Sequence, residues 1–118
     1  MDPIRIYGIK NCDTMKKAFV WLDQNKVPYI FHDYKTLGIT EKKIHQWLTH
    51  FEPNKLANTK GTTWKQLTEK EQESLQDANA LATLLVDKTS IIKRPLVELP
   101  KGYLLGFIPE EWEKALLK

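Results

Sequence analysis

Residues 7–18 read YGIKNCDTMKKA, and they hold Cys12, the only cysteine of a 118-residue chain. Just upstream, residues 4–9 (IRIYGI) are short, β-branched and aromatic and close on Gly8, which predicts a buried strand. The chain then turns through Lys10 and Asn11. From Met15 onward the apolar residues Met15, Ala18, Phe19 and Leu22 recur at i, i+3, i+4 and i+7, the spacing of one buried helical face. Asn11 is predicted to cap this helix, which puts Cys12 in its first turn. The helix should stop near Asn25 and Lys26, ahead of Pro28. In VPYIFHDY (27–34) Val27, Tyr29 and Phe31 alternate with more mixed residues, so a second strand follows. Strand, helix and strand in so short a span form a βαβ unit, with parallel strands and a right-handed crossover.

Downstream the period changes. Thr40 is a predicted N-cap, with Ile39 and Ile44 placed as a hydrophobic staple and Ile44, Trp47, Leu48 and Phe51 as the buried stripe. After Pro53 comes the polar loop NTKGTTW. Thr68 and Glu71 have the spacing of a capping box, and the Ala- and Leu-rich residues 77–86 continue helical after a break. Strand character returns in SIIKRPLVEL, where Pro95 removes a ladder donor and marks either an edge strand or a strand's first residue. A turn at residues 100–102 leads into YLLGF as hairpin partner. Pro109 then opens a last helix with Glu110 and Glu111 in its first turn. The order is βαβ, a helical block, then ββα. It predicts an α/β fold of thioredoxin-like order: a mixed four-stranded sheet in one domain over residues 1–118, with core segments 1–38 and 89–118 and an all-helical insertion over about 39–88.

Composition narrows the function classes. Hydrophobic residues make up 42% of the chain, enough for one modest core. A net charge of +3, with lysines scattered among acids, argues against nucleic-acid binding. No apolar run approaches the roughly 20 residues that span a bilayer, and MDPIRIYG has no basic start followed by an apolar stretch, so a cytoplasmic protein without membrane contact is expected. One cysteine closes no intramolecular disulfide, and His32, His45 and His50 lack ligand spacing, so no metal is expected. The four tryptophans read mostly as core.

A single cysteine is often no more than a small buried hydrophobe. As a nucleophile Cys12 would need help, because an ordinary thiol with a pKa of about 8.5 is only about 3% thiolate at neutral pH. Half-ionisation at pH 7 requires about 2 kcal/mol of preferential stabilisation of the anion. A helix N-terminus contributes about 0.3–1 kcal/mol, and up to about 2 where partly buried. Lys10 and Lys16 are near in sequence but screened by solvent. Arg94, in the pair Lys93-Arg94 before Pro95, is the stronger source. In the thioredoxin-like order a proline, usually cis, begins the third core strand against the active cysteine. Pro95 stands in that place and would bring Arg94 to Cys12.

YGIKNCDTMKKA, HDY at 32–34, NTKGTTWKQL at 58–67 and IIKRPL at 91–96, in this order and spacing, resemble the ArsC family of arsenate-reductase-like proteins, and within it the YffB subgroup. The resemblance runs over essentially the whole chain. It implies Cys12 as the catalytic thiol and Arg94 as the arginine that binds an oxyanion and lowers the cysteine pKa. Arsenate reductases of the family set three arginines around the anion, whereas here Lys60 stands at the second place and Gly106-Phe107 at the third. The family's Spx branch carries a C-x-x-C pair, which one cysteine excludes. The resemblance to YffB implies a glutathione-dependent thiol reductase. Its Cys12 adduct is resolved by an external thiol, with Lys10, Asn11, Lys60, Lys93 and Pro95 as the substrate-binding set. Glutathione is the expected co-substrate and glutaredoxin a candidate partner, with no bound cofactor and a monomeric state. The alternatives are an Spx-like interaction module, as that branch is toward RNA polymerase, and an arsenate reductase.

Overall fold

The computed structural model describes residues 2–117; Met1 and Lys118, the outer limits of the predicted domain, lie outside the described residues. Strands β1 (Ile4–Gly8), β2 (Tyr29–Asp33), β3 (Leu96–Leu99) and β4 (Gly102–Leu105) form one sheet in the order β2-β1-β3-β4. β1 and β2 are parallel, Ile4 opposite Tyr29. β3 runs antiparallel to β1, Tyr7 opposite Leu96, and β4 returns antiparallel to β3. Helix α1 (Asp13–Gln24) makes the β1–β2 crossover. Between β2 and β3 come α2 (Tyr34–Leu37), α3 (Glu41–Leu48), α4 (Pro53–Leu56), α5 (Thr62–Lys65), α6 (Glu69–Gln72) and α7 (Ala78–Asp87), and α8 (Pro109–Leu116) follows β4. This is a thioredoxin-like mixed sheet with helices interposed between its second and third strands.

Two compact units result, Met1–Tyr34 with Arg94–Lys118, and Lys35–Lys93. In the first, one sheet face (Ile4, Ile6, Val97, Leu104) packs on Met15, Ala18 and Leu22 of α1 and on Trp112 and Leu116 of α8. Two glycines set this packing. A Cβ at Gly8 would lie 2.5 Å from the sulfur of Met15, so the bare backbone there leaves room for the Met15 side chain in its present rotamer. Gly106 has φ 78, its N–H donates to the Pro95 carbonyl at 2.8 Å, and its own carbonyl accepts the Trp112 indole N–H at 3.0 Å. That carbonyl fixes the only polar side-chain atom of a fully buried tryptophan.

Several boundaries differ from the sequence reading. β2 starts at Tyr29 and not at Val27, because the Val27 N–H is used in closing α1, donating to the Leu22 carbonyl at 3.0 Å, with Lys26 at φ 55 making the turn. β3 starts at Leu96; the residues before it form a 3-10 turn (Thr89–Ile91) and a bridge from Ile92 to Ala57. The helical unit is therefore wider than residues 39–88, beginning at Lys35 and ending at Lys93. Within it Thr40 caps α3 by accepting from Lys43 N–H at 3.1 Å, and Thr68 with Glu71 forms the capping box. Asp77 caps α7. Ile44 and Trp47 are fully buried, but α3 ends at Leu48, leaving Phe51 beyond the helix. Trp64 and Trp112 are buried, whereas Trp21 is half-exposed.

Replacing Trp112 by Phe leaves the Gly106 carbonyl buried without its donor and opens a small void. The variant should lose about 1–3 kcal/mol in urea denaturation. Replacement of the exposed Glu113 should change stability by less than about 0.5 kcal/mol.

Candidate active site

Asn11 is not the cap of α1. The helix begins at Asp13, and Cys12 has the extended N-cap backbone (φ −141, ψ 129), its carbonyl accepting from Lys16 N–H at 2.9 Å. Asn11 lies exposed in the preceding turn. The one-residue difference matters, because an N-cap side chain faces the first unpaired N–H groups of its helix. The neutral thiol forms no cap hydrogen bond, yet the N–H groups of Met15 and Thr14 stand where they favour its anion. Partial burial pushes the Cys12 pKa up. That push is outweighed by the Met15 N–H, by the Arg94 guanidinium within hydrogen-bonding reach of the sulfur, by that guanidinium's charge, and by the Thr14 N–H. The net result is a thiol held below its ordinary value.

Sheet register explains how residues so distant in sequence meet. Tyr7 pairs with Leu96, so the segment just before Leu96 passes the C-terminal end of β1, from which the chain turns into Cys12. Pro95 is buried there, its peptide bond to Arg94 cis, and it donates nothing to the sheet while its carbonyl accepts from Gly106. Arg94 is half-buried.

The first unit thus brings Cys12, Arg94 and Pro95 together, with exposed Lys10 and Asn11 next to the thiol in the chain. Lys60 and Lys93 belong to the helical unit and are exposed. Lys60 follows an Asn58 whose Oδ1 accepts its N–H at 3.3 Å, and the Lys93 N–H donates to the Leu56 carbonyl at 2.8 Å.

Sequence reasoning missed an aromatic and acidic cluster behind Arg94. Tyr7 donates its hydroxyl to Glu98 at 2.8 Å, and burial followed by that carboxylate pushes its pKa well up. The Tyr7 ring lies 4.8 Å from His32 and 6.3 Å from Tyr34. Tyr34 is buried; burial and then Tyr7 raise its pKa, while the Arg94 charge acts against them, which places the arginine in the same neighbourhood. Only HDY at 32–34 hinted at this, because joining Tyr7, Tyr34 and Glu98 requires the register of three strands. Among the described residues no three His, Cys, Asp or Glu side chains are placed to hold a metal ion, and no helix is long and apolar enough to cross a membrane.

The fold and the thiol–guanidinium pair define a single-cysteine site on a thioredoxin-like scaffold. The ArsC family model matches residues 7–115, so the chain belongs to the ArsC family. A solved structure described as a YFFB protein is 42% identical, with a TM-score of 0.90, over 96% of this chain and 98% of that one. An arsenate reductase (ArsC) related protein from Brucella melitensis is 37% identical, with a TM-score of 0.77, over 96% of this chain and 93% of that one. The global transcriptional regulator Spx of Streptococcus pneumoniae is 26% identical over 110 residues, 92% of this chain and 81% of its own length.

A thiol whose folded pKa is depressed binds fewer protons than in the unfolded chain, so it adds stability as pH rises. The melting temperature of the wild type relative to Cys12→Ser should therefore climb as pH passes upward through the folded pKa. It should level off above about 8.5, where the unfolded thiol is also ionised.

Proposed function

We propose that this protein is a glutathione-dependent thiol reductase that uses Cys12 as its one nucleophile. The observation that carries the reading is the Arg94 guanidinium in reach of the sulfur of Cys12, the residue at the N-cap position of α1. The Cys12 thiolate attacks the glutathione sulfur of a mixed disulfide in line with its S–S bond. A new Cys12–glutathione disulfide forms, and the substrate sulfur leaves as a thiolate that takes up a proton. A second glutathione, as thiolate, then attacks that adduct and releases oxidised glutathione and the Cys12 thiolate. In sum, one disulfide is broken and one formed, the substrate sulfur is reduced, and the proton of the incoming glutathione ends on the substrate thiol. With one cysteine in the chain, the resolving thiol must come from solution or from a protein such as glutaredoxin. Arg94 stabilises the thiolate both as attacker and as leaving group, and its planar fork, with Lys10, suits the carboxylates of glutathione. A reducing cytoplasm is the compartment that fits a free, activated thiol.

Arsenate is a poor match for the same site. Gly106 occupies the left-handed region, where arginine would be strained, and its backbone is committed to Pro95 and Trp112. A second reading, a regulatory interaction module without turnover, is favoured by the relatedness to Spx.

A coupled assay with the mixed disulfide of glutathione and 2-mercaptoethanol separates these readings. Wild type should turn over, Cys12→Ser should lose all activity, and Arg94→Ala should fall by about tenfold or more at neutral pH. Arsenate turnover should be negligible. Activity intact in Cys12→Ser would sink the reductase reading.

A further inference from the structure

Along the outer side of α1, Val20 and Trp21 face Phe107 and Pro109 across an open groove of about 410 Å³ that extends from Lys16 to Gln24. Its floor is carbon: Val20 is 53% exposed, and Trp21 meets Phe107 edge to face at 6.4 Å between ring centres. At the end nearest the thiol stand Lys16, whose N–H bonds the Cys12 carbonyl, and Lys17. Both lysines are exposed and neither forms an ion pair among the described residues, although Asp13 lies one turn away on the same helix. The groove is therefore apolar along its length and positive where it approaches Cys12.

Glutathione does not match such a surface, since it carries two carboxylates and an ammonium but no apolar side chain. The other half of a mixed disulfide does, if it is a polypeptide. We infer that the groove docks the protein substrate: an extended segment beside the disulfide-bonded cysteine, with an acidic residue meeting Lys16 and Lys17 and apolar side chains on Val20, Trp21 and Phe107. The span fits. Eight residues of helix from Lys16 to Gln24 rise about 12 Å, the reach of about four extended residues. This inference rests on the thiol-reductase reading and names its substrate class, protein mixed disulfides.

The test uses the full chain and three glutathione mixed disulfides: with 2-mercaptoethanol, with a peptide carrying Asp and Leu beside its cysteine, and with the same peptide carrying Lys in place of Asp. The rate of Cys12–glutathione adduct formation is read by intact mass. The acidic peptide should react about tenfold faster than its lysine counterpart. The variant Lys16→Glu/Lys17→Glu should reverse that preference, Val20→Asp should abolish the advantage of the peptide over 2-mercaptoethanol, and both should keep the wild-type rate with 2-mercaptoethanol. Calorimetric titration of the acidic peptide with Ser for Cys reports docking without chemistry, and its binding should be lost in Val20→Asp. Equal rates for the two peptides, or docking that ignores these variants, would overturn the groove assignment while leaving the reductase standing. Inert Cys12 with all three disulfides would remove the reductase reading and this inference with it.

Discussion

The antiparallel pairing of β1 with β3, Tyr7 opposite Leu96, is the constraint on which the site depends. It carries the segment ahead of β3 past the C-terminal end of β1, where the chain turns into the cap of α1. A cysteine at that cap and an arginine before that strand are then neighbours, although more than half the sequence separates them. Neither half of the arrangement is sufficient alone. Helix-terminal N–H groups supply part of the anion's stabilisation, and a nearby fixed guanidinium supplies charge that a mobile lysine at the surface does not.

Keeping those two groups in place requires backbone precision, and the chain achieves it with small residues at crowded points. Gly8 leaves room for the Met15 side chain to lie against the end of β1. Pro95 is buried and its carbonyl is held by Gly106, whose own carbonyl is held by Trp112 from α8. The site is thus tied on one side to the α1 packing and on the other to α8. Tyr34 lies within reach of the Arg94 charge and beside Tyr7, whose hydroxyl is held by Glu98.

Much of this was legible in the sequence, for identifiable reasons. A short β-branched and aromatic run marked β1, a period of 3.6 marked α1 and α3, and local signals such as Thr40, Thr68 with Glu71, and Pro109 with the two glutamates after it needed only their own neighbours to be read. The order βαβ then ββα, with a proline before the third strand, was enough to connect Cys12 with Arg94. What escaped was decided by tertiary context. Asn11 looks like the better cap by residue type, yet Cys12 takes the position because the strand–helix junction fixes where the backbone turns. Val27 reads as strand, but its N–H is spent on ending α1. The Tyr7, Tyr34 and Glu98 cluster needs three strands in register before its members are neighbours, and the groove along α1 needs Phe107 and Pro109 brought up from the far end of the chain.

The central claim is that folding lowers the pKa of Cys12, and titration of the thiolate measures it most directly. The ultraviolet absorbance of the thiolate, taken as wild type minus Cys12→Ser across pH, gives its midpoint in the native protein and again in denaturant. The native midpoint should lie clearly below about 8.5 and return to about 8.5 on unfolding. A native midpoint at or above the unfolded one would contradict the account.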